Sequence, residues 1–596
     1  MKTFFKIIAV LIIITWSFGA CQKPQTTPPE TLPKVQDIET LARLYGYARW
    51  FHPSDEAQEI DWDKFAVLGL KKIRNVNSSE ELRDVLFSLF SPVIQGLQIY
   101  HKDNPEEFRQ DILVSPDPNK KTVAWQHFGV YLNENSNVYQ SARINSKNTT
   151  NAEKLFERMP EFGEVTKESI GNNLICVVPL TLQTNNISTY PNTEASVLAQ
   201  LKSEISGIIY RYESKSIVNL ASVMIAWNVL QHFFPYFDVI DTDWNSILGE
   251  TIKSTLINDQ QKDFWLTLSR MIAQLNDGHG AVFDEKMYHL PIRTEFIENE
   301  IVITATNDDA LKRGDIVKTI NGKPAMMVLD ELAEIISGSP QLRKNRALNI
   351  LGSTLDSGEK TTLELERDGG KQNVIMSNTY TGKNMFHNPI DYRRSDFYSI
   401  IELEPGIFLV NLKRSTENDF VQKIDVLANA KAVIYDCREG QNLSFYQIAP
   451  YLIAEPVTSA WWNIPQTIYP DRKEVEFSNF NWSIQPQQPL FKSKSIIIND
   501  PSVVSQGETM MGIIDHYNLA ITVGEPTAGC NGNINIINLP CGYSVTWTGM
   551  RVLKHDGSQL YLNGFLPDYP VNKTIQAIKE GTDEYLEKAL EIARRE

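Results

Sequence analysis

The chain has 596 residues, which suggests several domains at about 100–200 residues each. Its 57 Lys and Arg against 73 Asp and Glu give a net charge of −16, which argues against a nucleic-acid-binding protein because such proteins present a basic face. Hydrophobic residues make up 42% of the chain, and its five cysteines form no C-x-x-C pair, so the composition indicates a globular protein without a disulfide scaffold or a structural zinc site. We predict no metal and no cofactor.

Residues 1–20 have the pattern of a signal peptide. Lys2 and Lys6 provide the positive end, and the apolar run from Ile7 to Trp16 is too short to span a bilayer comfortably. Small residues directly before Cys21 resemble a bacterial lipobox, which predicts a lipid anchor at Cys21 and an extracytoplasmic protein held at a bacterial membrane. The alternative is an ordinary cleaved signal with an incidental cysteine. The proline-rich residues 21–33 predict a stiff, extended tether.

Two segments, 34–107 and 193–290, repeat one pattern at an offset of 182 residues. Pro53 is followed eight residues later by Asp61-Trp62, and Pro235 by Asp243-Trp244. Apolar positions recur at helical spacing in both segments. Each copy is therefore predicted to form two amphipathic helices joined by a turn.

The two copies differ at one informative position. The first ends Gln95-Gly96-Leu97, whereas the second ends Asp277-Gly278-His279, so a titratable side chain replaces a leucine. A glycine-flanked histidine is by itself more typical of an ordinary loop. Of the nine histidines, His279 is nevertheless the one that the sequence favours as a general base.

Three further segments complete the chain. Residues 108–192 hold alternating and β-branched runs, which predict a small β domain and a linker. Residues 291–385 are mostly strand with one helix. From 386 to 596 strands alternate with helices, which favours an α/β layer.

The segment around Ser505 carries the strongest chemical signal. An apolar strand, Ile496 to Ile498, precedes Ser505, and a helical pattern follows it. A serine at such a junction lies beside the free N–H groups of a helix start, which stabilise negative charge. The alternative is a capping box, because Ser505-x-x-Glu508 also fits an N-cap serine with glutamate at N3.

A second turn follows the strand A-V-I-Y, where the chain reads D-C-R-E-G from Asp436 to Gly440. A glycine after a parallel strand can present its backbone N–H to a developing oxyanion. The alternative is a routine turn at the end of a strand.

Six motifs occur in order along the chain: D-G-H at 277–279, G-D-I-V-K-T-I-N-G-K-P at 314–324, D-C-R-E-G at 436–440, S-Q-G-E at 505–508, V-G-E-P-T-A-G at 523–529 and G-F-L-P-D at 564–568. This ordered set resembles the C-terminal-processing (tail-specific) and tricorn-type serine peptidases, in particular their multi-domain lipoprotein members. The resemblance covers roughly residues 200–590. It implies a multi-domain α/β and α+β chain with a ClpP/crotonase-like peptidase core at 386–596 and a PDZ-like domain at 291–385.

The resemblance also implies roles for single residues. Ser505 would be the nucleophile, His279 its base, and the backbone N–H groups of Gly440 and Gln506 the oxyanion hole. The substrate would be a peptide or protein of the extracytoplasmic space, cleaved internally or near its carboxyl terminus through an acyl-enzyme. No nucleic-acid partner is expected, and the oligomeric state is left open.

Two positions depart from the family pattern. Cys530 stands where the tail-specific branch carries its catalytic lysine, and Tyr561 stands where the tricorn-like branch carries an acid. Asp556 or Glu525 is therefore the candidate for orienting His279. These departures also leave open an impaired peptide-binding protein, or a hydrolase of other esters or amides, on the same fold. A disulfide that includes Cys437 or Cys530 is likewise left open.

Overall fold

The structure, a computed structural model, describes residues 32–109, 117, 119–132, 138–145, 154–185, 187–257, 261–283, 285–379, 381 and 399–595. The predicted signal peptide, Cys21 and most of the tether lie outside the described residues. Among the helices that the structure describes, none combines the length and apolar character needed to cross a bilayer.

Both copies of the repeat contain three helices in register, one more than predicted: Val35–Phe51, Trp62–Ile73 and Ser79–Phe90 in the first copy, and Lys215–Phe233, Trp244–Ile257 and Gln261–Ala273 in the second. Trp62 and Trp244 each begin the second of these helices, as the offset of 182 requires. Residues at equivalent positions of the first helix, Tyr45 and Trp227, donate hydrogen bonds to the carbonyls of Trp62 and Trp244 respectively. The first copy also contains the helix Asp55–Gln58, and the second also contains the helix Ala195–Ser206.

The helix Lys215–Phe233 corrects the prediction of amphipathic helices. Every residue from 217 to 233 is buried, because helices of both copies pack around it. A helix with neighbours on all sides needs no polar face. The two copies therefore share one hydrophobic core, which also includes residues near the carboxyl terminus such as Trp547 and Tyr561.

The predicted β domain at 108–192 does not close on itself. Its strand Lys121–Phe128 pairs with Trp462–Thr467, 338 residues later, through Gln466 opposite Phe128. This pairing ties the amino-terminal third to the carboxyl-terminal part of the chain. The strands of this region form two sheets: Gln98–His101, Leu174–Pro179 and Val165–Gly171 in one; Glu476–Phe480, Trp462–Thr467, Lys121–Phe128, Thr181–Thr184 and Thr189–Tyr190, with Gln140–Ile144 and Arg551–Val552 attached, in the other.

Residues 292–377 form an antiparallel sheet with its own core and two helices. The sequence predicted one helix here. The helices are Ala325–Ala333 and Pro340–Asn349, and the strands are Ile292–Ile297, Glu300–Thr306, Ile316–Ile320, Lys323–Pro324, Lys360–Arg367 and Gly370–Ser377.

The carboxyl-terminal part is a six-stranded sheet between helical layers, as strand–helix alternation predicted. The last five strands run parallel, so their carboxyl ends meet at one edge. Clefts beside that edge are the usual place for ligands in such sheets. In sheet order the strands are Ile400–Glu404, Ile407–Asn411, Ala432–Asp436, Lys494–Asn499, Ile521–Gly524 and Tyr569–Pro570. The helices are Glu417–Ala428, Phe445–Ile448, Gln506–Tyr517, Ile575–Glu580 and Glu584–Arg594.

A small antiparallel sheet joins the second repeat to this core. Its strands are Ile534–Asn538, Ser544–Thr548 and Ala281–Phe283, in that order. Because Ala281–Phe283 follows directly after His279, its pairing with Ser544–Thr548 fixes where that histidine lies. The remaining short elements are the strands Val457–Thr458 and Ser483–Ile484 and the 3₁₀ turns Pro105–Glu107, Tyr210–Tyr212, Ala449–Tyr451 and Pro470–Arg472.

Candidate active site

Ser505 occupies a strained turn between the strand Lys494–Asn499 and the helix Gln506–Tyr517. Its φ of 55° and ψ of −119° are unfavourable for a side-chain-bearing residue and persist only where surrounding contacts impose them. One such contact is the hydrogen bond from its backbone N–H to the carbonyl of Cys530, at 2.8 Å. The Ser505 side chain makes no capping hydrogen bond, so its partly exposed hydroxyl does not serve the helix end.

Glu508, the second residue of the predicted capping box, has different partners as well. Its side chain is fully buried and accepts hydrogen bonds from the Thr527 hydroxyl at 2.5 Å and from the backbone N–H groups of Gly529 and Cys530 at 2.7 and 2.5 Å. Burial raises the pKa of Glu508 to about 7, although the three donors oppose that shift. Glu508 therefore holds the loop whose Cys530 carbonyl receives the Ser505 N–H. The sequence analysis did not predict this function for Glu508, and the only signal was an acid at the start of an otherwise apolar helix.

The two predicted oxyanion-hole amides follow neighbouring parallel strands, Gly440 in the loop after Ala432–Asp436 and Gln506 at the start of the helix Gln506–Tyr517. The loop that holds Gly440 donates two hydrogen bonds to the segment before Ser505: from Cys437 N–H to the carbonyl of Ile498 in the strand Lys494–Asn499, at 3.0 Å, and from Glu439 N–H to the Ser502 hydroxyl in the loop that follows, at 2.8 Å. Within the described residues, neither the Gly440 N–H nor the Gln506 N–H donates a hydrogen bond. Gly440 has a φ of +97°, a β-carbon built there would meet no atom within 4 Å outside its chain neighbours, and both Gly440 and Gln506 are exposed. Both amides are free to bind a ligand oxygen.

A buried ion network anchors the Gly440 loop. The Arg438 guanidinium donates to the carboxylates of Asp436, at 2.7 and 2.8 Å, and Asp583, at 2.8 and 3.2 Å. All three side chains are at most 5% exposed. The network links the loop to the start of the helix Glu584–Arg594, which Asp583 caps.

We expect Asp583→Asn to lower stability by about 1–3 kcal/mol, because the buried Arg438 charge loses one of its two carboxylates. The matched control is Glu404→Gln, which breaks the exposed pair with Arg594 and should change stability far less, because solvent screens that pair. The urea midpoints of the two variants measure the difference. Equal midpoints would show that the buried network does not stabilise the loop.

His279 is held in one orientation by Thr548 and Asp277. The Thr548 hydroxyl lies 2.6 Å from the Asp277 carboxylate and 2.9 Å from Nδ1 of His279. Because the hydroxyl has one proton, which it donates to the carboxylate, Nδ1 must carry the proton that Thr548 accepts. The lone pair of the neutral imidazole is then on Nε2. Burial lowers the pKa of His279 below its usual 6.5, Asp277 opposes that shift, and Arg346 adds to it.

Asp277 is the buried centre of this turn. Its carboxylate also accepts the backbone N–H of His279 at 3.0 Å and that of Thr548 at 2.5 Å, and its own N–H donates to the Ser337 hydroxyl at 2.8 Å. The Arg346 guanidinium donates to the Gly278 carbonyl at 2.7 Å. Ser337 and Arg346 belong to the predicted PDZ-like segment, so that segment supports the histidine turn.

Cys530 connects the histidine turn to Ser505, 226 positions away in sequence. Its carbonyl accepts the Ser505 N–H, while its side chain packs against Gly278 so closely that a β-carbon there would lie 2.5 Å from the Cys530 β-carbon. Only glycine fits at 278 without a shift of the thiol loop. The structure thus brings both predicted catalytic residues to opposite sides of one cysteine.

Asp556 and Glu525 do not contact His279. Asp556 lies in an exposed turn, where hydrogen bonds from the hydroxyl and then the backbone N–H of Ser558 lower the pKa of its carboxyl. Glu525 accepts a hydrogen bond from the Tyr585 hydroxyl. The group at Nδ1 of His279 is instead Thr548, backed by Asp277. Sequence analysis missed Thr548 because its position depends on the pairing of strands far apart in the chain; Ala281 pairs with Thr546, 265 residues later.

Two other expectations concern Tyr561 and the cysteines. Tyr561 is buried, stacks on Tyr236 with ring centroids 3.9 Å apart, and donates to the Leu275 carbonyl, so it packs the wall of the site. The four cysteines within the described residues are free thiols, so Cys437 and Cys530 form no disulfide there.

Comparison with known proteins agrees with this architecture. Residues 407–571 match the sequence model of peptidase family S41. Among solved structures, mature CPAF complexed with lactacystin aligns with 64% of this chain and 98% of its own at 14% identity, with a TM-score of 0.52, and a CPAF mutant aligns with 64% and 97% at 14% identity, with a TM-score of 0.53. At that identity the likeness shows a shared fold. No curated protein matches the sequence. The matched segment, which includes Gly440 and Ser505, is therefore a domain of peptidase family S41, a family of serine peptidases.

Proposed function

We propose that this serine peptidase cleaves peptide bonds of extracytoplasmic proteins or peptides through an acyl-enzyme on Ser505. The observation that carries the proposal is the Ser505 turn: its hydroxyl does not cap the helix, its backbone is strained, and Cys530 links it to the oriented His279. The predicted PDZ-like segment at 291–385 is proposed to hold an extended substrate by strand addition at a sheet edge. The proposed location and membrane tether rest on the Cys21 motif.

The proposed chemistry begins with proton transfer from the Ser505 hydroxyl to Nε2 of His279. Oγ attacks the carbonyl carbon of the scissile bond, and the N–H groups of Gly440 and Gln506 bind the oxygen that becomes negative. The intermediate collapses, the amine leaves with the proton from Nε2, and an ester remains on Ser505. A water molecule, deprotonated by Nε2, then attacks the ester, releases the carboxylic acid and restores the hydroxyl.

Orientation of His279 in this proposal comes from the Asp277–Thr548 pair. A Ser–His pair needs the imidazole in the tautomer with its lone pair toward the serine, and Thr548 accepts the proton at the opposite nitrogen. This arrangement supplies an orienting carboxylate although Tyr561 occupies the acid position of the family. It therefore favours an active peptidase over the impaired peptide-binding alternative.

A fluorophosphonate probe tests the proposal, because it labels only activated serines. We expect stoichiometric labelling of Ser505 in the folded chain, located by mass spectrometry, and none in Ser505→Ala or in urea-unfolded protein. An unlabelled, folded chain that binds peptides without cleaving them would overturn the peptidase proposal. Labelling of Ser505 together with ester hydrolysis, but without products from a peptide library, would indicate a hydrolase of other esters or amides.

The orienting hydroxyl gives a separate prediction. Thr548→Val keeps the side-chain shape, and we expect kcat to fall about 10- to 100-fold with little change in KM, a part of the roughly 10²–10⁴-fold that a positioned base contributes. Thr548→Ser should restore most of the rate because it restores the hydroxyl.

The matched control is Thr546→Val, since the Thr546 hydroxyl donates to the backbone carbonyl of the same histidine at 2.6 Å. This control should leave kcat within about threefold of the parent chain, because it does not change the tautomer. Equal losses in both threonine variants, or no rescue by serine, would indicate a packing effect in place of orientation.

A further inference from the structure

The side chains of Asp277, His279 and Cys530 form a cluster, and the proposed general-base catalysis gives the Cys530 thiol no function. One carboxylate oxygen, one imidazole nitrogen and the thiol sulfur lie within 4.8 Å of one another, and the sulfur is 4.0 Å from Oδ1 of Asp277. We call these three residues the Cys-His-Asp cluster. Asp277 and Cys530 are buried and His279 is partly exposed, so the cluster opens on the side of the imidazole.

The three donors suit a borderline-soft divalent ion. Zn²⁺ binds thiolate sulfur at about 2.3 Å, imidazole nitrogen at about 2.0 Å and carboxylate oxygen at about 2.0–2.2 Å, usually with four ligands. Ligand atoms around such an ion are about 3–4 Å apart, so a contraction on the order of 1 Å, within reach of side-chain rotation, completes the site. Mg²⁺ and Ca²⁺ prefer oxygen-only sites and fit poorly.

We propose that the Cys-His-Asp cluster binds one Zn²⁺ ion and that this binding inhibits the peptidase. On binding, the Cys530 thiol releases its proton to solvent, and the ion takes one lone pair from sulfur, nitrogen and oxygen, with water as the fourth ligand. Neutral imidazole has a single nitrogen lone pair. A metal-bound His279 therefore has none left to accept the Ser505 proton, whichever ring nitrogen holds the ion.

The inhibitory half of this proposal rests on the proposed function, whereas the binding half does not. Cys530 makes zinc binding possible, because its thiol lies beside the histidine at the position where the tail-specific peptidases carry lysine. Thiolate and imidazole together provide the affinity for zinc that a Ser–His pair alone lacks.

Cobalt substitution tests binding without any activity. Full-length chain is freed of metal with a chelator and titrated with Co²⁺, which is expected to saturate at one ion per chain with a sulfur-to-cobalt charge-transfer band in the near ultraviolet. Zn²⁺ should displace the ion and remove the band. Cys530→Ser should lack the band, and Cys541→Ser, a thiol outside the cluster, should keep it. If Cys530→Ser does not fold, His279→Gln tests the same site and should bind Co²⁺ at least tenfold more weakly.

Inhibition is measured separately. Zn²⁺ should reduce peptide hydrolysis by the parent chain and by Cys541→Ser more than tenfold at saturation, and Mg²⁺ or Ca²⁺ at the same concentration should not. Within Cys530→Ser, the ratio of rates with and without Zn²⁺ should be within about twofold of one. A parent chain without the band, a band that survives Cys530→Ser, or equal zinc inhibition in both cysteine variants would overturn the proposal. Cobalt binding by a chain that neither hydrolyses peptides nor reacts with the fluorophosphonate would refute the peptidase function and leave the metal site standing.

Discussion

Ser505→Ala should abolish peptide hydrolysis while leaving the stability of the chain almost unchanged. Removal of a catalytic serine that acts together with its histidine lowers kcat on the order of 10⁶-fold. An N-cap serine would instead contribute about 0.5–2 kcal/mol to stability, and the Ser505 hydroxyl makes no such cap. The two functions thus predict opposite results for one substitution.

Thr416→Ala is the matched control, because Thr416 caps the helix Glu417–Ala428 in the same domain through a complete capping box with Asp419. This variant should lose about 1 kcal/mol and keep its hydrolytic rate. Ser505→Gly adds a third comparison: it should be inactive and at least as stable as the parent, since glycine tolerates a φ of 55°. A Ser505→Ala variant that behaves like Thr416→Ala in both measurements would identify Ser505 as a cap.

The sequence predicted those elements that can be recognised from a short stretch of neighbouring residues. The strands Ala432–Asp436 and Lys494–Asn499 are apolar runs followed by turn residues, and parallel strands buried on both faces have this composition. The repeat was visible because Trp62 and Trp244 start equivalent helices. The same information could not give the number of helices per copy, since the all-round burial of Lys215–Phe233 depends on the neighbouring copy.

In the candidate site, too, some residues are predictable from local sequence and others depend on distant strand pairing. Ser505 follows a buried strand and precedes an apolar helix, so its turn was predictable from a window of about twenty residues. The orienting group was not, because Thr548 reaches His279 only through the sheet that pairs Ala281–Phe283 with Ser544–Thr548. Asp556 and Glu525 were candidates because the family position holds Tyr561, but sequence position alone carries no information on which loop faces the imidazole.

Glu508 shows a third kind of limit. Its spacing from Ser505 fits a capping box, a pattern that describes backbone hydrogen bonds within one helix end. The buried carboxylate instead satisfies the N–H groups of Gly529 and Cys530, which would otherwise be unpaired in the interior. The same short sequence can therefore form a capping box in one protein and bind a distant loop in another.

His279→Ala should reduce kcat on the order of 10⁶-fold, and the double variant with Ser505→Ala should be no less active than either single variant. Residues that act as one unit show this lack of additivity because removing either one already disables the other. Fully additive losses would mean that the two side chains work independently, against the proposed proton transfer.

The pH dependence of the parent chain should then follow the imidazole. Burial places the pKa of His279 below 6.5, so the imidazole is neutral at about pH 7. We therefore expect kcat/KM to rise with pH to a plateau, with the midpoint of the rise below pH 6.5. Stability responds to the same depressed pKa: the unfolded chain binds the proton more tightly, so the contribution of His279 to stability falls as the pH drops from about 6.5 through the folded pKa.

Arg346 offers a way to move that midpoint. Its positive charge lowers the pKa of His279, so Arg346→Gln should shift the acidic limb of kcat/KM toward higher pH, while Asp277→Asn, which removes the opposing negative charge, should shift it toward lower pH. Arg594→Gln, remote and exposed, should leave the limb in place. If neither Arg346→Gln nor Asp277→Asn moves the limb, the titrating base of this peptidase is some other group than His279.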